Sequence, residues 1–198
     1  LAEAGVKVTP VEEWTGFPEM LGGRVKTLHP HVHGPILARR SVREDMATLA
    51  EHGVEPLDLV AVTLYPFEER AASLDDEEAI EEIDIGGVAL LRAAAKNHRD
   101  VTVIHAPSQY AEVLAAFERG GPTPDERRKW ALETFARTAR YDAAIAAELS
   151  RRSAGGSAAA TGARPEPPPM HVIALERARG LRYGENPHQA AAWYVPAD

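Results

Sequence analysis

The 198-residue chain is long enough for one substantial core and part of a second unit. Its formal net charge of −8 disfavours a general nucleic-acid surface, which needs excess Lys and Arg to neutralise phosphates, but allows a local basic cluster to hold a small anion. The absence of cysteine rules out a disulfide framework and a thiolate nucleophile, no apolar run is long enough to span a bilayer, and no signal-peptide pattern is present; together these suit a cytoplasmic location without membrane contact.

Residues 1–6 read as the end of a helix stopped by Gly5, then a strand over 6–8, as expected of a chain that begins partway through a domain. A short apolar stretch at 36–38 follows Gly34-Pro35, and 41–52 has helical spacing with Met46 and Leu49 on one side. Residues 57–64 form a near-continuous apolar run after Pro56, the pattern of a parallel strand buried on both faces; 101–104 is a second such strand. The acidic stretch 75–82 suits the opening turns of a helix, and 88–96 is Ala/Leu-rich and helical.

Ser108 is placed to cap a helix carrying Tyr110, Val113, Leu114 and Phe117, ended by Gly120-Gly121-Pro122. Residues 125–149 form a long amphipathic helix with Leu132, Phe135, Ala136, Ala139 and Ala143 as the expected buried stripe. Residues 151–169 are Ser/Ala/Gly-rich, then Pro-rich, and read as a flexible loop, with a returning strand at 171–175. Strands alternating with helices predict an α/β layer fold with a mainly parallel sheet flanked by helices.

Several runs carry chemistry. Gly23-Arg24-Val25-Lys26-Thr27-Leu28-His29-Pro30 offers a guanidinium fork, an ammonium and a hydroxyl, which together grip an anion or form a solvated basic turn. His29, His31 and His33 would share one face of a strand as a metal site, or lie as surface histidines; a metal hydrolase is the reading built on the first case. Tyr65 follows the apolar run at the end of a strand where ligands of parallel sheets bind, as a proton donor or as a packed aromatic.

Asp84 precedes Gly86-Gly87 and a helix, where the glycines admit a ligand close to the backbone or where Asp84 simply caps the helix. Arg92 and Lys96 lie four apart on that helix and call for an anion between them; Asp84 and Lys96 are separated by about 18 Å if the helix is continuous.

These runs, with His33-Gly34, Leu64-Tyr65-Pro66-Phe67, residues 83–98, Tyr141-Asp142-Ala143-Ala144-Ile145 and residues 181–189, resemble in order and spacing the IMP cyclohydrolase domain of the bifunctional AICAR transformylase/IMP cyclohydrolases. The resemblance implies a methylglyoxal-synthase-like α/β fold lacking its amino-terminal strand-helix segment. The implied division is a cyclohydrolase domain over 1–150, the loop 151–169, and a domain end leading toward a transformylase over 170–198. It implies dehydrative closure of the formamidoimidazole-carboxamide ribonucleotide FAICAR to IMP, without a cofactor or metal, within a bifunctional enzyme that also formylates AICAR from 10-formyltetrahydrofolate.

Lys26, Tyr65, Asp84 and Lys96 would be catalytic. Arg24 and Thr27 would bind phosphate, with Ile85 and Gly86 at the base. Arg182 and Tyr183 would serve the transformylase site, in part across a homodimer. The family's Ser-Thr-Gly-Gly-Thr phosphate loop belongs upstream of Leu1, so the fragment alone is expected to hold half of the phosphate cradle. Thr63, His31 and Pro35 depart from the family's usual Asn, Lys and Gly. The alternative is a non-catalytic nucleotide-sensing module of the same fold, which needs the phosphate grip but not Tyr65, Asp84 and Lys96.

Overall fold

The computed structural model describes residues 2–161, 167 and 171–196. In chain order its elements are α1 (Val11–Thr15), α2 (Pro30–Leu37), α3 (Arg43–Glu51), β1 (Leu59–Ala61), α4 (Phe67–Ala71), α5 (Asp76–Glu81), α6 (Gly86–Lys96), β2 (Thr102–Ile104), α7 (Tyr110–Glu118), α8 (Pro124–Thr161), β3 (Leu175–Leu181) and β4 (Ala191–Pro196). Parallel strands β1 and β2 pair through Leu59 with Thr102, Val60 with Val103 and Ala61 with Ile104. Helices α2, α6 and α8 pack around this pair, giving the α/β arrangement of a parallel sheet flanked by helices.

Both apolar runs became strands, but shorter than their patterns. β2 is buried throughout, whereas β1 buries only Val60 and leaves Leu59 39% exposed. Among the described residues β1 pairs only with β2, so its other edge has no ladder and the double-sided burial expected of 57–64 is not realised. At the start of the chain, Ala2–Ala4 is a 3-10 turn stopped by Gly5 at φ +76°, but no strand follows: Val6 and Val8 are half exposed. The returning strand begins at Leu175, not at His171, and pairs antiparallel with β4 across a bulge between Arg177 and Arg179.

The helix after β2 also starts differently. Ser108 makes no side-chain cap; instead the Gln109 carboxamide oxygen accepts from the backbone N–H of His105 at 2.9 Å and of Ala106 at 3.2 Å. On α7 only Val113 of the expected stripe is buried; Tyr110, Leu114 and Phe117 stay exposed.

The largest revision concerns α8. Its buried face is Trp130, Thr134, Thr138 and Tyr141, spaced at i, i+4, i+8 and i+11, all fully buried. The threonine hydroxyls are satisfied by their own helix: Thr134 donates to the Trp130 carbonyl at 2.8 Å and Thr138 to that of Phe135 at 3.1 Å. Threonine can therefore sit in the core at no cost in unpaired groups, and the two aromatics supply the area. Of the expected stripe, Leu132 is 70% exposed, Ala136 and Ala139 are exposed, Ala143 is half-buried and Phe135 borders the cleft described below.

α8 also continues through 151–161, where a loop was expected; Arg152 anchors this extension by donating to Asp76 at 2.7 Å, to Glu148 at 2.7 Å and to the Ala71 and Leu74 carbonyls. An alanine-rich sequence continues a helix readily once its base is fixed. The Pro-rich remainder of that segment lies largely outside the described residues.

Two buried ties position the helices around the site. Asn97, just beyond α6, donates its side-chain amide to the Ile36 carbonyl at 2.8 Å and the Ala38 carbonyl at 2.9 Å, locking the end of α6 to the end of α2. Tyr141 of α8 reaches the chain between α5 and α6, where its hydroxyl accepts from the Asp84 backbone N–H at 2.8 Å.

Candidate active site

Asp84 stands where the chain turns from α5 into α6. Its backbone is held by Tyr141, and its carboxylate oxygen accepts from the Gly87 N–H at 2.7 Å, so it does cap the helix. The two glycines are required for space. A Cβ on Gly87 would stand 2.9 Å from the Asp84 carboxyl carbon, and one on Gly86 would stand 2.5 Å from the Thr27 hydroxyl. Gly86-Gly87 thus makes room for Asp84 on one side and Thr27 on the other.

From this turn, α6 forms one wall of a cleft of about 610 Å³. Asp84, Ile85, Arg92 and Lys96 line it from the α6 side, His33 from α2, and Phe135, Tyr141 and Asp142 from α8. The Arg92 guanidinium lies over the Phe135 ring, 5.5 Å from its centroid. Neither Arg92 nor Lys96 has an ion-pair partner among the described residues, so two cations four residues apart face the cleft without a carboxylate between them. α6 is unbroken from Gly86 to Lys96, so Asp84 and Lys96 serve different stretches of the same wall.

The basic run does not enter this cleft as a unit. Thr27 touches the Gly86 position. Arg24 points to Glu81 across 3.7 Å, both side chains being largely exposed. Lys26 lines a separate cavity of about 210 Å³, where its ammonium meets Glu19 at 2.9 Å and Glu12 at 3.4 Å. Those hydrogen bonds, Glu19 first, push the Lys26 pKa up, and Glu12 is held below the usual carboxylate range by its own backbone N–H and then by Lys26.

Tyr65 follows β1, is 56% exposed and lines neither cavity. Arg182 and Tyr183 lie just past β3, also outside the cleft. Of the expected site residues, the structure therefore gathers Asp84, Ile85 and Lys96, with Thr27 and Gly86 in contact at one end, and sets Arg24, Lys26 and Tyr65 apart.

The histidines also separate. His29 is the N-cap of α2, its Nδ1 accepting from the His31 N–H at 3.1 Å, and His31 and His33 lie within the helix. Residues two apart on a helix do not share a face, so the strand alternation behind a metal site is not formed. Among the described residues no three His, Cys, Asp or Glu side chains converge as a metal-binding group.

His33 is the cleft residue whose placement the sequence reading missed. Burial lowers its pKa, partly offset by the Thr27 backbone. Phe135 and Asp142 were likewise not picked out as cleft residues; Asp142 lies in the Tyr141–Ile145 run and Phe135 six residues before it, both more than fifty residues from Asp84.

Two family profiles divide the chain: an MGS-like domain matches residues 1–89, and the AICARFT/IMPCHase bienzyme matches residues 94–198. The chain belongs to the AICARFT/IMPCHase bienzyme family. Membership supports a function related to purine biosynthesis in general, and the MGS-like match agrees with the helix-flanked parallel sheet. A solved structure titled "Crystal structure of ForH" is 35% identical, with a TM-score of 0.63 over 75% of this chain and 79% of that one. Among the described residues no helix is long and apolar enough to cross a membrane.

Proposed function

We propose that the α2–α6–α8 cleft closes FAICAR to IMP with loss of water. The observation that carries the reading is the arrangement of one cleft wall: a carboxylate held by the Gly87 N–H, on backbone anchored by Tyr141, at the start of α6, and two cations further along it without an ion-pair partner among the described residues. The carboxamide nitrogen is a poor nucleophile until a base takes its proton, and Asp84 is that base. As the nitrogen attacks, the formyl oxygen becomes anionic and then leaves, so positive charge is needed there; Arg92 and Lys96 supply it, with Lys96 returning a proton.

Thr27, Ile85 and Gly86 orient the nucleotide, and Arg24 joins at the phosphate on releasing Glu81. Tyr65 and Lys26 take part on rearrangement, Lys26 by exchanging Glu12 and Glu19 for the substrate. Holding both reacting groups in one molecule in register supplies much of the acceleration without a cofactor. Arg182 and Tyr183 belong to the companion formylation of AICAR from 10-formyltetrahydrofolate in a cytoplasmic homodimer.

The engagement of Lys26 by two carboxylates favours a second reading, a non-catalytic nucleotide sensor. An absorbance assay of FAICAR closure separates the two. It is run on this chain and on a version carrying the family's amino-terminal phosphate loop, each beside Lys96→Ala. Closure that falls in the variant supports the enzyme; nucleotide binding without closure in either version overturns it.

A further inference from the structure

Two runs marked in the sequence supply the proposed reaction with nothing except Tyr65: Leu64-Tyr65-Pro66-Phe67 and Tyr141-Asp142-Ala143-Ala144-Ile145. In the structure they meet. The Phe67 ring at the start of α4 packs edge-on against the Tyr141 ring of α8, with centroids 6.2 Å apart and planes at 71°. Both residues are fully buried. The Arg137 guanidinium lies over the Tyr141 ring, 5.9 Å from its centroid. A ring boxed in this way cannot swing, so its hydroxyl has a fixed position.

That hydroxyl is spent on the main chain around Asp84. It accepts from the Asp84 N–H at 2.8 Å and donates to the Glu82 carbonyl at 3.4 Å. The two peptide groups flank Ile83, so one phenol fixes the approach of the chain to Asp84. The side chain is fixed separately, accepting from the Gly87 N–H at 2.7 Å. The amide of Asp84 is thus tied to α8 and its carboxylate to the first turn of α6. Only two side-chain torsions separate these anchors, which leaves the carboxylate little travel. A buried phenol needs some partner, and any nearby carbonyl would satisfy it. Here it also takes the N–H of the residue assigned as base.

On the cyclisation reading above, we propose that Tyr141 is a positioning residue for that base: its hydroxyl, with its ring braced by Phe67, sets the place from which the Asp84 carboxylate takes the carboxamide proton. Proton transfer between held groups tolerates little displacement, and a shift of about 1 Å can cost roughly a hundredfold in rate.

The test follows FAICAR closure by absorbance, in both versions of the chain used above, for Tyr141→Phe with and without Asp84→Asn. The Phe ring keeps the packing and lacks only the hydroxyl. Tyr141→Phe should lower kcat by about tenfold to a hundredfold and leave the KM for FAICAR nearly unchanged. In the Asp84→Asn background the same substitution should cost nothing further, because the two residues act as a unit. Asp45→Asn, on α3, serves as a variant that loses stability and keeps its kcat. Phe67→Leu keeps the hydroxyl but frees the ring, and should give a smaller fall in kcat that also vanishes with Asp84→Asn. The ¹³C carboxyl resonance of Asp84 should move in Tyr141→Phe.

A folded Tyr141→Phe variant with unmodified kcat overturns the inference and leaves the cyclisation reading standing. A fall in kcat of equal size in the Asp84→Asn background also overturns it, since Tyr141 is then a tie of the fold and not of the base. If Tyr141→Phe does not fold, Phe67→Leu carries the same pair of measurements. If neither version closes FAICAR, the cyclisation reading falls and the Asp84 resonance still decides the tie: a shift in Tyr141→Phe keeps it, and an unmoved resonance overturns it as well.

Discussion

Asp84 has two jobs in this structure, and a pair of substitutions separates them. As a cap it accepts from the Gly87 N–H at 2.7 Å; as a base it needs its charge. Asp84→Asn keeps an oxygen able to cap, since Asn and Asp are comparable N-caps, and loses only the favourable interaction of a negative charge with the helix dipole, about 0.5 kcal/mol. Asp84→Ala loses the cap itself, about 1 kcal/mol.

For a chain of this size 1 kcal/mol corresponds to about 2–4 °C in Tm, so Asn should cost about 1–2 °C and Ala roughly 2–4 °C. Loss of a general base lowers the rate by about a hundredfold to ten-thousandfold, and this loss should be the same in both variants. Thermal unfolding followed by circular dichroism and FAICAR closure followed by absorbance give the two readouts. The reasoning fails if Asp84→Asn closes FAICAR at the unmodified rate, because Asp84 is then a cap and nothing more.

Two further expectations follow from the geometry. Gly87→Ala adds a Cβ 2.9 Å from the Asp84 carboxyl carbon, so the carboxylate must swing and surrender its cap. The better helix propensity of Ala, about 1 kcal/mol, offsets most of the lost cap, so Tm should change little while closure falls at least tenfold; unchanged closure would show that the orientation of Asp84 is immaterial.

The second concerns acid. The Arg39 side chain forks onto Asp45 at 2.8 and 2.9 Å, and this, with the Arg39 N–H, lowers the Asp45 pKa to about 2 from 3.8. A depressed carboxylate contributes stability that is fully present above its ordinary value and lost as pH falls through the depressed one. The Tm gap between the unmodified chain and Asp45→Asn should therefore stay level above pH 3.8 and shrink toward pH 2; a gap independent of pH in that window would contradict it.

Much of the scaffold was legible because local pattern and tertiary context agree there. The acidic stretch 75–82 became α5, with Asp75 and Glu78 exchanging backbone and side-chain hydrogen bonds as a capping box, and the glycines at 120 and 121 stop α7 at φ +102° and +119°. The α8 stripe was illegible for a physical reason. Two faces of that helix have helical spacing, and the more apolar by composition is the exposed one. Thr134 and Thr138 look like surface residues until their hydroxyls are seen bonded to the preceding turn.

The site divides in the same way. Ile83-Asp84-Ile85-Gly86-Gly87 is contiguous, so its chemistry could be read directly. Phe135 and His33 reach the cleft only through the packing of α8 and α2 on α6, which no local spacing encodes.

The basic run shows the opposite limit, where adjacency in sequence overstates adjacency in space. Between Met20 and Leu28 the backbone makes successive three-residue turns: Gly23 N–H to Met20, Arg24 to Leu21, Lys26 to Gly23 and Leu28 to Val25. With Gly22 and Gly23 at φ +61° and +88°, this path is a tight coil and not a strand. At about three residues per turn, neighbours point roughly 120° apart. Arg24, Lys26 and Thr27 accordingly meet Glu81, the Glu12–Glu19 pair and Gly86 respectively.

Each of the two cations already has a carboxylate, so recruiting them to one substrate is an exchange of partners. A phosphate dianion can compete with the single exposed Glu81 at 3.7 Å more readily than with the two carboxylates around Lys26. Thr27 needs no exchange at all. On the cyclisation reading, nucleotide capture should therefore proceed from Thr27 to Arg24, with Lys26 last, and the Lys26 ion pairs are the step at which binding and chemistry part company.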